Sequence, residues 1–262
     1  MDLGLKGSVV LVTGGSKGIG LACVRSFAAE GARIAIASRS ESNLAAAAQA
    51  LQGEGFQAFT VAADLVEPQQ AAAMASKVEA ALGPIDVLVN SAGAARRTPP
   101  SELTAEHWHA AMQAKYFTYI HAMDAVLRDM AKRGAGVIVN IIGMGGKIAG
   151  PTHLPGGAAN AALMLASAGL ANAFARNGIR VNAVNPGLTV TERMQEGFAA
   201  DARQSGRSFA EILQQRTAAM PLGRIAQPED IADMVVFLAS KRASYVSGAV
   251  ISLDGAATPI VV

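Results

Sequence analysis

Short runs of β-branched and aliphatic residues alternate along the chain with longer, alanine-rich stretches of helical character. Continuous apolar runs of this length are typical of strands buried on both faces, joined by helical crossovers. The pattern predicts strands at Ser8–Val12, Arg33–Ala37, Gln57–Val61, Ile85–Val89, Val137–Ile142, Ile179–Val184 and Ala249–Leu253. We therefore expect an α/β fold of Rossmann type, a doubly wound parallel sheet of about seven strands with helices on both faces.

No linker or internal repeat interrupts this pattern, so residues 1–262 are expected to form a single domain. A chain of 262 residues with 51% hydrophobic content suits one large core. The exception is the polar interval 191–217, which contains Gly197 and Gly206. We expect this interval to be a mobile flap over a substrate site.

Charge and cysteine content narrow the classes of partner. The formal net charge of +2 comes from mixed charges without long basic runs, so a nucleic-acid partner is not expected and small molecules are. The single cysteine, Cys23, lies in an apolar stretch and has no internal disulfide partner. The N-terminus lacks a basic segment followed by an apolar one, so we expect a cytoplasmic protein.

The interval from Ile148 to Ala175 contains no Asp, Glu, Lys or Arg and reaches the length of a membrane span. Its residues are mainly Ala, Gly and Asn rather than Leu, Ile and Phe, and Pro151 and Pro155 interrupt it. This composition favours a helix buried between protein surfaces, so no membrane partner is expected.

A glycine-rich turn, Thr13-Gly14-Gly15-Ser16-Lys17-Gly18-Ile19-Gly20, follows the first predicted strand and precedes a helix. Glycines let the backbone turn tightly and approach a pyrophosphate, and the helix N-terminus offers unpaired N–H groups to the anion. The spacing Gly-x-x-x-Gly-x-Gly resembles that of the short-chain dehydrogenase/reductase family.

Further motifs extend the resemblance over nearly the whole chain. They are Asp64 after the third strand, Asn90-Ser91-Ala92-Gly93 after the fourth, Asn185-Pro186-Gly187 after the sixth, and Pro221-Leu222-Gly223-Arg224 near the end. The last motif is similar to that of the 3-oxoacyl-[acyl-carrier-protein] reductases. The resemblance implies an NAD(P)-dependent oxidoreductase that interconverts carbonyls and alcohols, with no metal, as a homodimer or homotetramer.

The resemblance also implies a set of cofactor contacts. Those on the pyrophosphate side are Gly14, Ser16, Lys17, Gly18, Ile19 and Gly20. The adenine, ribose and carboxamide contacts are Asp64 with Leu65, then Asn90, Ala92 and Gly93, then Pro186, Gly187, Thr189 and Thr191. Arg39 stands after the second strand, where NAD-preferring relatives usually carry an acidic residue. Arg39 and Lys17 therefore favour the 2′-phosphate of NADP, with NAD as the alternative.

The catalytic residues of the family are absent. The family uses a tyrosine as proton donor, a lysine four residues later, a serine thirteen residues before the tyrosine, and an asparagine on the preceding helix. The corresponding positions here are Gly156, Asn160, Gly143 and Lys115. No shift of register recovers the motif, because no tyrosine occurs between Tyr119 and Tyr245.

Three interpretations follow from this atypical site. In the first, the oxidoreductase retains hydride transfer and its proton passes through Lys115, His153 or water, with Lys115 and Asn160 exchanged between helices. In the second, the chain is a catalytically inactive NADP-binding protein or oligomer partner. In the third, the fold carries a non-redox enzyme with Lys115 as base or electrostatic clamp.

Overall fold

The computed structural model describes residues 2–93 and 96–260, and within them it confirms the predicted α/β fold. The seven strands are β1 Val9–Thr13, β2 Arg33–Ser38, β3 Ala58–Ala62, β4 Val87–Asn90, β5 Gly136–Ile141, β6 Ile179–Pro186 and β7 Val250–Leu253. They form one parallel sheet in the order β3-β2-β1-β4-β5-β6-β7. Several strands end later than predicted, at Thr13, Ser38, Ala62, Asn90 and Pro186, since these residues still pair with the neighbouring strand.

Helices cover both faces of the sheet. The α-helices are α1 Gly18–Ala29, α2 Glu41–Gly53, α3 Pro68–Leu82, α4 Ala105–Ala111, α5 Thr118–Arg133, α6 Leu154–Phe174, α7 Glu192–Ser205, α8 Phe209–Ala218 and α9 Pro228–Ala239. One face packs against α1, α2 and α9, and the other against α3, α5 and α6. The strand order reverses between β1 and β4, and such a switch point opens a crevice at the carboxyl ends of the strands.

A chain of buried hydrogen bonds joins the carboxyl ends of β1, β4 and β5 to α6. Thr13 Oγ1 donates to Asn90 Oδ1 at 3.1 Å, and Asn90 Nδ2 donates to Asn140 Oδ1 at 3.0 Å. Asn140 Nδ2 then donates to Ser167 Oγ at 2.9 Å. All four side chains are buried, so the network fixes the strand ends from which the site loops emerge.

The predicted flap, 191–217, is mainly helical. The Thr191 hydroxyl accepts a hydrogen bond from Met194 N–H and caps α7, and α8 follows after a turn at Gly206. A small apolar cluster of Met194, Phe198, Ile212 and Ile225 holds the two helices together, apart from the two main cores. Mobility of this segment stays a prediction.

The uncharged helix α6 is expected to be buried between protein surfaces, and in the single chain only one of its faces is buried. The segment Leu154–Asn177 is long and apolar enough to span a membrane by length and composition, a test that core helices of globular proteins also pass. Leu163 on this helix is fully buried against the sheet, while Leu165 is 78% exposed. The outer face of α6 is therefore uncovered in the single chain.

The close packing of the first glycine loop predicts a stability difference between two glycines. A Cβ at Gly20 would lie 2.3 Å from the Gly14 carbonyl oxygen, while a Cβ at Gly53, on α2, would meet nothing within 4 Å. We expect Gly20→Ala to lower the free energy of unfolding by about 1–3 kcal/mol. The control Gly53→Ala should leave it unchanged or raise it by up to about 1 kcal/mol. Urea unfolding measures both, and equal effects would contradict the packing described.

Candidate active site

A cleft of about 370 Å³ lies at the carboxyl edge of the sheet, beside the switch point. Six of the predicted cofactor residues line it: Gly14, Arg39, Asp64, Leu65, Ala92 and Gly93. The structure thus brings residues that follow β1, β2, β3 and β4 into one cavity, as expected for parallel strands.

Two glycines make this cleft a backbone cradle. Gly14 has φ +67°, and a Cβ there would lie 2.7 Å from the Ala92 amide nitrogen. Gly93 has φ +93°, and a Cβ there would lie 2.2 Å from the Ala114 carbonyl oxygen. Only glycine suits both the conformation and the approach. With the N-terminus of α1 directly after the first loop, the residues present fit a dinucleotide.

Other residues of the glycine-rich turn that were predicted to contact the cofactor form contacts within the protein, around the cleft. Lys17 Nζ forms an exposed ion pair with Glu192 at 3.0 Å, so its ammonium already has a partner from α7. Ser16 is only 8% exposed, and Gly18 faces the Thr191 methyl group. Ile19 packs against the core. A direct cofactor contact from these residues stays a prediction.

The residues predicted to contact the ribose and the carboxamide of the cofactor likewise form contacts within the protein. Asn90 is fully buried in the hydrogen-bond chain described above, so its side chain orders the turn beneath the cleft. Pro186 ends β6. A Cβ at Gly187 would lie 2.8 Å from Cβ of Asp254, the residue that follows β7, so position 187 requires glycine. Thr189 is buried and donates to the Gly187 carbonyl at 3.3 Å.

Lys115 is buried at the carboxyl end of β5. It lies on a π-helical segment, Met112–Phe117, between α4 and α5. Its Nζ donates to Tyr119 Oη at 2.7 Å and to the Ile141 carbonyl at 3.1 Å, while the Tyr119 hydroxyl donates to the same carbonyl. Burial lowers the pKa of Lys115 to about 7, and the positive charge of Arg193 adds to this effect. Single π turns are frequent at functional sites.

The side chains missing from the family pattern leave glycine backbone beside an amide. Asn160 is 5% exposed, and its Nδ2 lies 3.4 Å from where a Cβ on Gly143 would stand. The Gly143 N–H donates to Asn185 Oδ1 at 3.3 Å. Gly156 is buried in the first turn of α6, which packs against the π-helical segment. Lys115 and Asn160 therefore lie on packed neighbouring elements.

His153 directly precedes α6 at the edge of this region. Its Nδ1 is buried and has no hydrogen-bond partner among the described residues. A Cβ on Gly145 would lie 3.0 Å from the Cδ2 of the imidazole. Burial is the main reason that the pKa of His153 is lowered. The positive charges of Arg97, Arg193 and Lys115 lower this pKa further.

Sequence reasoning missed two arginines of the site, and its spacing left two alternatives for Tyr119, a packed helix residue or one that faces the site with Lys115. Tyr119 is a fully buried partner of Lys115, although its spacing favours a packed helix tyrosine. Burial raises the pKa of its phenol, so the hydroxyl stays protonated. Arg193, in the first turn of α7, lines the cleft together with Thr118, and the positive charge of Arg97 lowers the pKa of His153. No sequence pattern separates these arginines from ordinary exposed ones.

Comparison with known proteins identifies the family. Residues 14–258 match a family model described as Enoyl-(Acyl carrier protein) reductase. The chain is 34% identical to gluconate 5-dehydrogenase of Gluconobacter oxydans over 97% of this chain and 96% of that protein. It is 35% identical to the L-tagatose-forming galactitol 2-dehydrogenase of Cereibacter sphaeroides, over 97% and 96%. The chain belongs to the short-chain dehydrogenase/reductase family, as the motifs indicated.

Solved structures agree with this assignment. L-sorbose reductase from Gluconobacter frateurii, solved with NADPH and L-sorbose, superposes with a TM-score of 0.92 at 31% identity over 100% of both chains. An NADPH-bound short-chain oxidoreductase from Pseudomonas aeruginosa PAO1, described as containing an atypical catalytic center, gives 0.88 at 32% identity over 97% and 98%. Both of these neighbours were solved with NADPH, in agreement with the prediction of NADP as cofactor.

The position of Arg39 predicts the cofactor preference. Because Arg39 lines the cleft and Lys17 is paired with Glu192, Arg39→Asp should weaken NADP binding about tenfold or more and leave NAD binding unchanged or stronger. Lys17→Ala should have the smaller effect on NADP. Dissociation constants for both cofactors, measured by fluorescence titration, check this. Equal loss of NADP and NAD affinity in Arg39→Asp would reject the role of Arg39.

The lowered pKa of Lys115 also predicts how stability depends on pH. Its pKa is 10.5 as an ordinary side chain and about 7 in the fold, so the unfolded chain binds more protons between these values. Stability then rises with pH across this window, relative to a chain without the lysine. We expect the difference in unfolding free energy between wild type and Lys115→Met to shift in favour of wild type from pH 7 to pH 9. A pH-independent difference would show that Lys115 titrates normally.

Proposed function

We propose that this protein is an NADPH-dependent reductase of small, polyhydroxylated ketones, with Lys115 in place of the missing tyrosine as the proton donor. The reaction converts ketone, NADPH and a proton into secondary alcohol and NADP, and the cofactor supplies the hydride when bound. The observation that carries the proposal is the buried ammonium of Lys115 at the carboxyl end of β5, held by Tyr119 and Ile141.

The hydrogen bonds of Lys115 leave one proton for the reaction. An ammonium has three N–H donors, and two of them are directed to Tyr119 Oη and the Ile141 carbonyl. We propose that the third is given to the substrate oxygen as the carbonyl is reduced. A pKa of about 7 lets Lys115 act as acid or base near neutral pH, as a reversible reaction requires.

Tyr119 positions Lys115 and does not exchange the proton itself. Its hydroxyl is directed to the Ile141 carbonyl, and its raised pKa keeps it neutral. Asn160, whose amide nitrogen faces the space at Gly143, is suited to donate to the substrate carbonyl where the family uses a serine. His153, whose pKa is lowered by the charge of Lys115, is the further titratable side chain from which Lys115 is reprotonated in this proposal.

The substrate class and assembly rest on relatives and on surface character. Relatives of similar length are named for gluconate, galactitol and L-sorbose, which supports a small polyhydroxylated substrate. The uncovered face of α6, with Leu165 78% exposed, supports a homodimer or homotetramer. We expect the enzyme to act in the cytoplasm.

Removal of the lysine tests the proposal. Lys115→Met should lower the turnover number of ketone reduction about 10²- to 10⁴-fold, the usual contribution of a positioned acid, with NADPH affinity unchanged. In the wild type, reduction should slow as pH rises through about 7, since the ammonium is lost, and alcohol oxidation should accelerate. NADPH absorbance with L-sorbose and 5-keto-D-gluconate gives both profiles. The exposed Lys77→Met is the matched control.

Tyr119→Phe gives a second readout in the same assay. It removes an acceptor of the ammonium, so the midpoint of the pH profile should move to lower pH.

An unchanged rate in Lys115→Met would refute the proposed role. NADPH binding without oxidation by any carbonyl would indicate a binding protein, and no NADP(H) binding would indicate a non-redox enzyme.

A further inference from the structure

The charges that shift the pKa values of Lys115 and His153 are all positive. Arg97, Arg193 and Lys115 lower the pKa of His153, and Arg193 also lowers the pKa of Lys115. Within the described residues, no carboxylate offsets the lowered pKa of Lys115 or of His153. Such a concentration of cations raises the local potential and favours an anionic ligand.

These cations come from three separate elements that the fold brings together. Arg97 lies in the loop after β4, and the adjacent Thr98 N–H donates to the Thr152 carbonyl at 2.9 Å. This bond fixes the Arg97 loop beside His153. Arg193 enters from α7 and lines the cleft with Gly93 and Thr118, on the side of the π-helical segment that carries Lys115.

The two arginines have donors to spare. Neither Arg97 nor Arg193 forms a salt bridge within residues 2–93 and 96–260. The nearest carboxylate along the chain, Glu192, is held by Lys17 at 3.0 Å. His153 adds a buried Nδ1 that has no partner among the described residues, although buried polar atoms are nearly always hydrogen-bonded.

We propose that the substrate carries a carboxylate, bound by Arg97 and Arg193 with His153 as a further hydrogen-bonding group. Guanidinium groups match the planar, two-oxygen geometry of a carboxylate. The inference rests on the proposed function, since it treats the space at Gly143, beside Asn160, as the substrate site. It makes the enzyme a reductase of keto acids, and a dehydrogenase of hydroxy acids in the reverse direction.

The exposure of Arg97 and Arg193 determines how much they strengthen the binding of a carboxylate. Arg97 and Arg193 are exposed, so salt and water screen their charges and their contribution is smaller than that of a buried pair. We expect the acid member of a matched pair to bind about tenfold more tightly than its neutral counterpart, equivalent to about 1.4 kcal/mol. The preference should decrease with added salt.

Matched ligands isolate the carboxylate. 5-Keto-D-gluconate and L-sorbose differ only in a carboxylate in place of a hydroxymethyl group, as do D-gluconate and D-sorbitol, and levulinate and 5-hydroxy-2-pentanone. Calorimetric titration of NADP-saturated protein measures each affinity without turnover, with the cofactor's phosphate sites already filled. We expect tighter binding of the acid in at least one pair, and loss of that preference in the double variant Arg97→Gln, Arg193→Gln.

Four results would overturn the inference. One is the absence of any acid preference in all three pairs, whether both members bind or neither does. The second is a preference that survives in the double variant. The third is weaker NADP binding by Arg193→Gln with the acid preference intact. Tighter binding of D-fructose 6-phosphate than of 5-keto-D-gluconate would overturn the carboxylate in favour of a phosphate. Because binding is measured, failure of NADPH oxidation would reject the proposed function separately.

Discussion

The site depends on the hydrogen-bonded chain that runs from Thr13 through Asn90 and Asn140 to Ser167. Each member is buried and each bond is between 2.9 and 3.1 Å, so the carboxyl ends of β1, β4 and β5 are fixed relative to α6. The glycine loop, the Asn90–Gly93 turn and the Gly143 backbone all leave the sheet from these ends. A polar network that is fully satisfied in a low-dielectric interior gives this edge a defined geometry.

At the positions of the family's tyrosine and serine this chain has Gly156 and Gly143. The charges that shift the pKa values of the nearby Lys115 and His153 are positive. Lys115 Nζ donates hydrogen bonds to the phenol of Tyr119 and to the carbonyl of Ile141. The side-chain amide of Asn160, on α6, lies beside the backbone of Gly143. Desolvation of a buried ammonium is costly unless the charge is compensated or used. The proposed function gives the buried Lys115 such a use.

The sequence predicted the seven strands because their apolar runs are local signals, and parallel pairing then follows from the helical crossovers. The spacing of the family pattern also predicted that Lys115 and Asn160 lie close together, and the structure places them on elements that pack against each other. Their roles stay a prediction. The Lys17–Glu192 pair joins residues 175 positions apart and belongs to tertiary structure. The same holds for Arg193 and Arg97, whose approach to His153 depends on α7 and on the Thr98–Thr152 hydrogen bond.

The central claim is that Lys115 titrates near neutral pH in the folded protein. Its titration can be followed directly in the NADP-bound protein by NMR of lysine labelled with ¹³C at Cε, with the Lys115 signal assigned by its absence in Lys115→Met. The account predicts a midpoint near pH 7, well below the ordinary 10.5. A midpoint at or above 10 would show an ammonium that stays charged throughout, and would contradict its role as the proton donor.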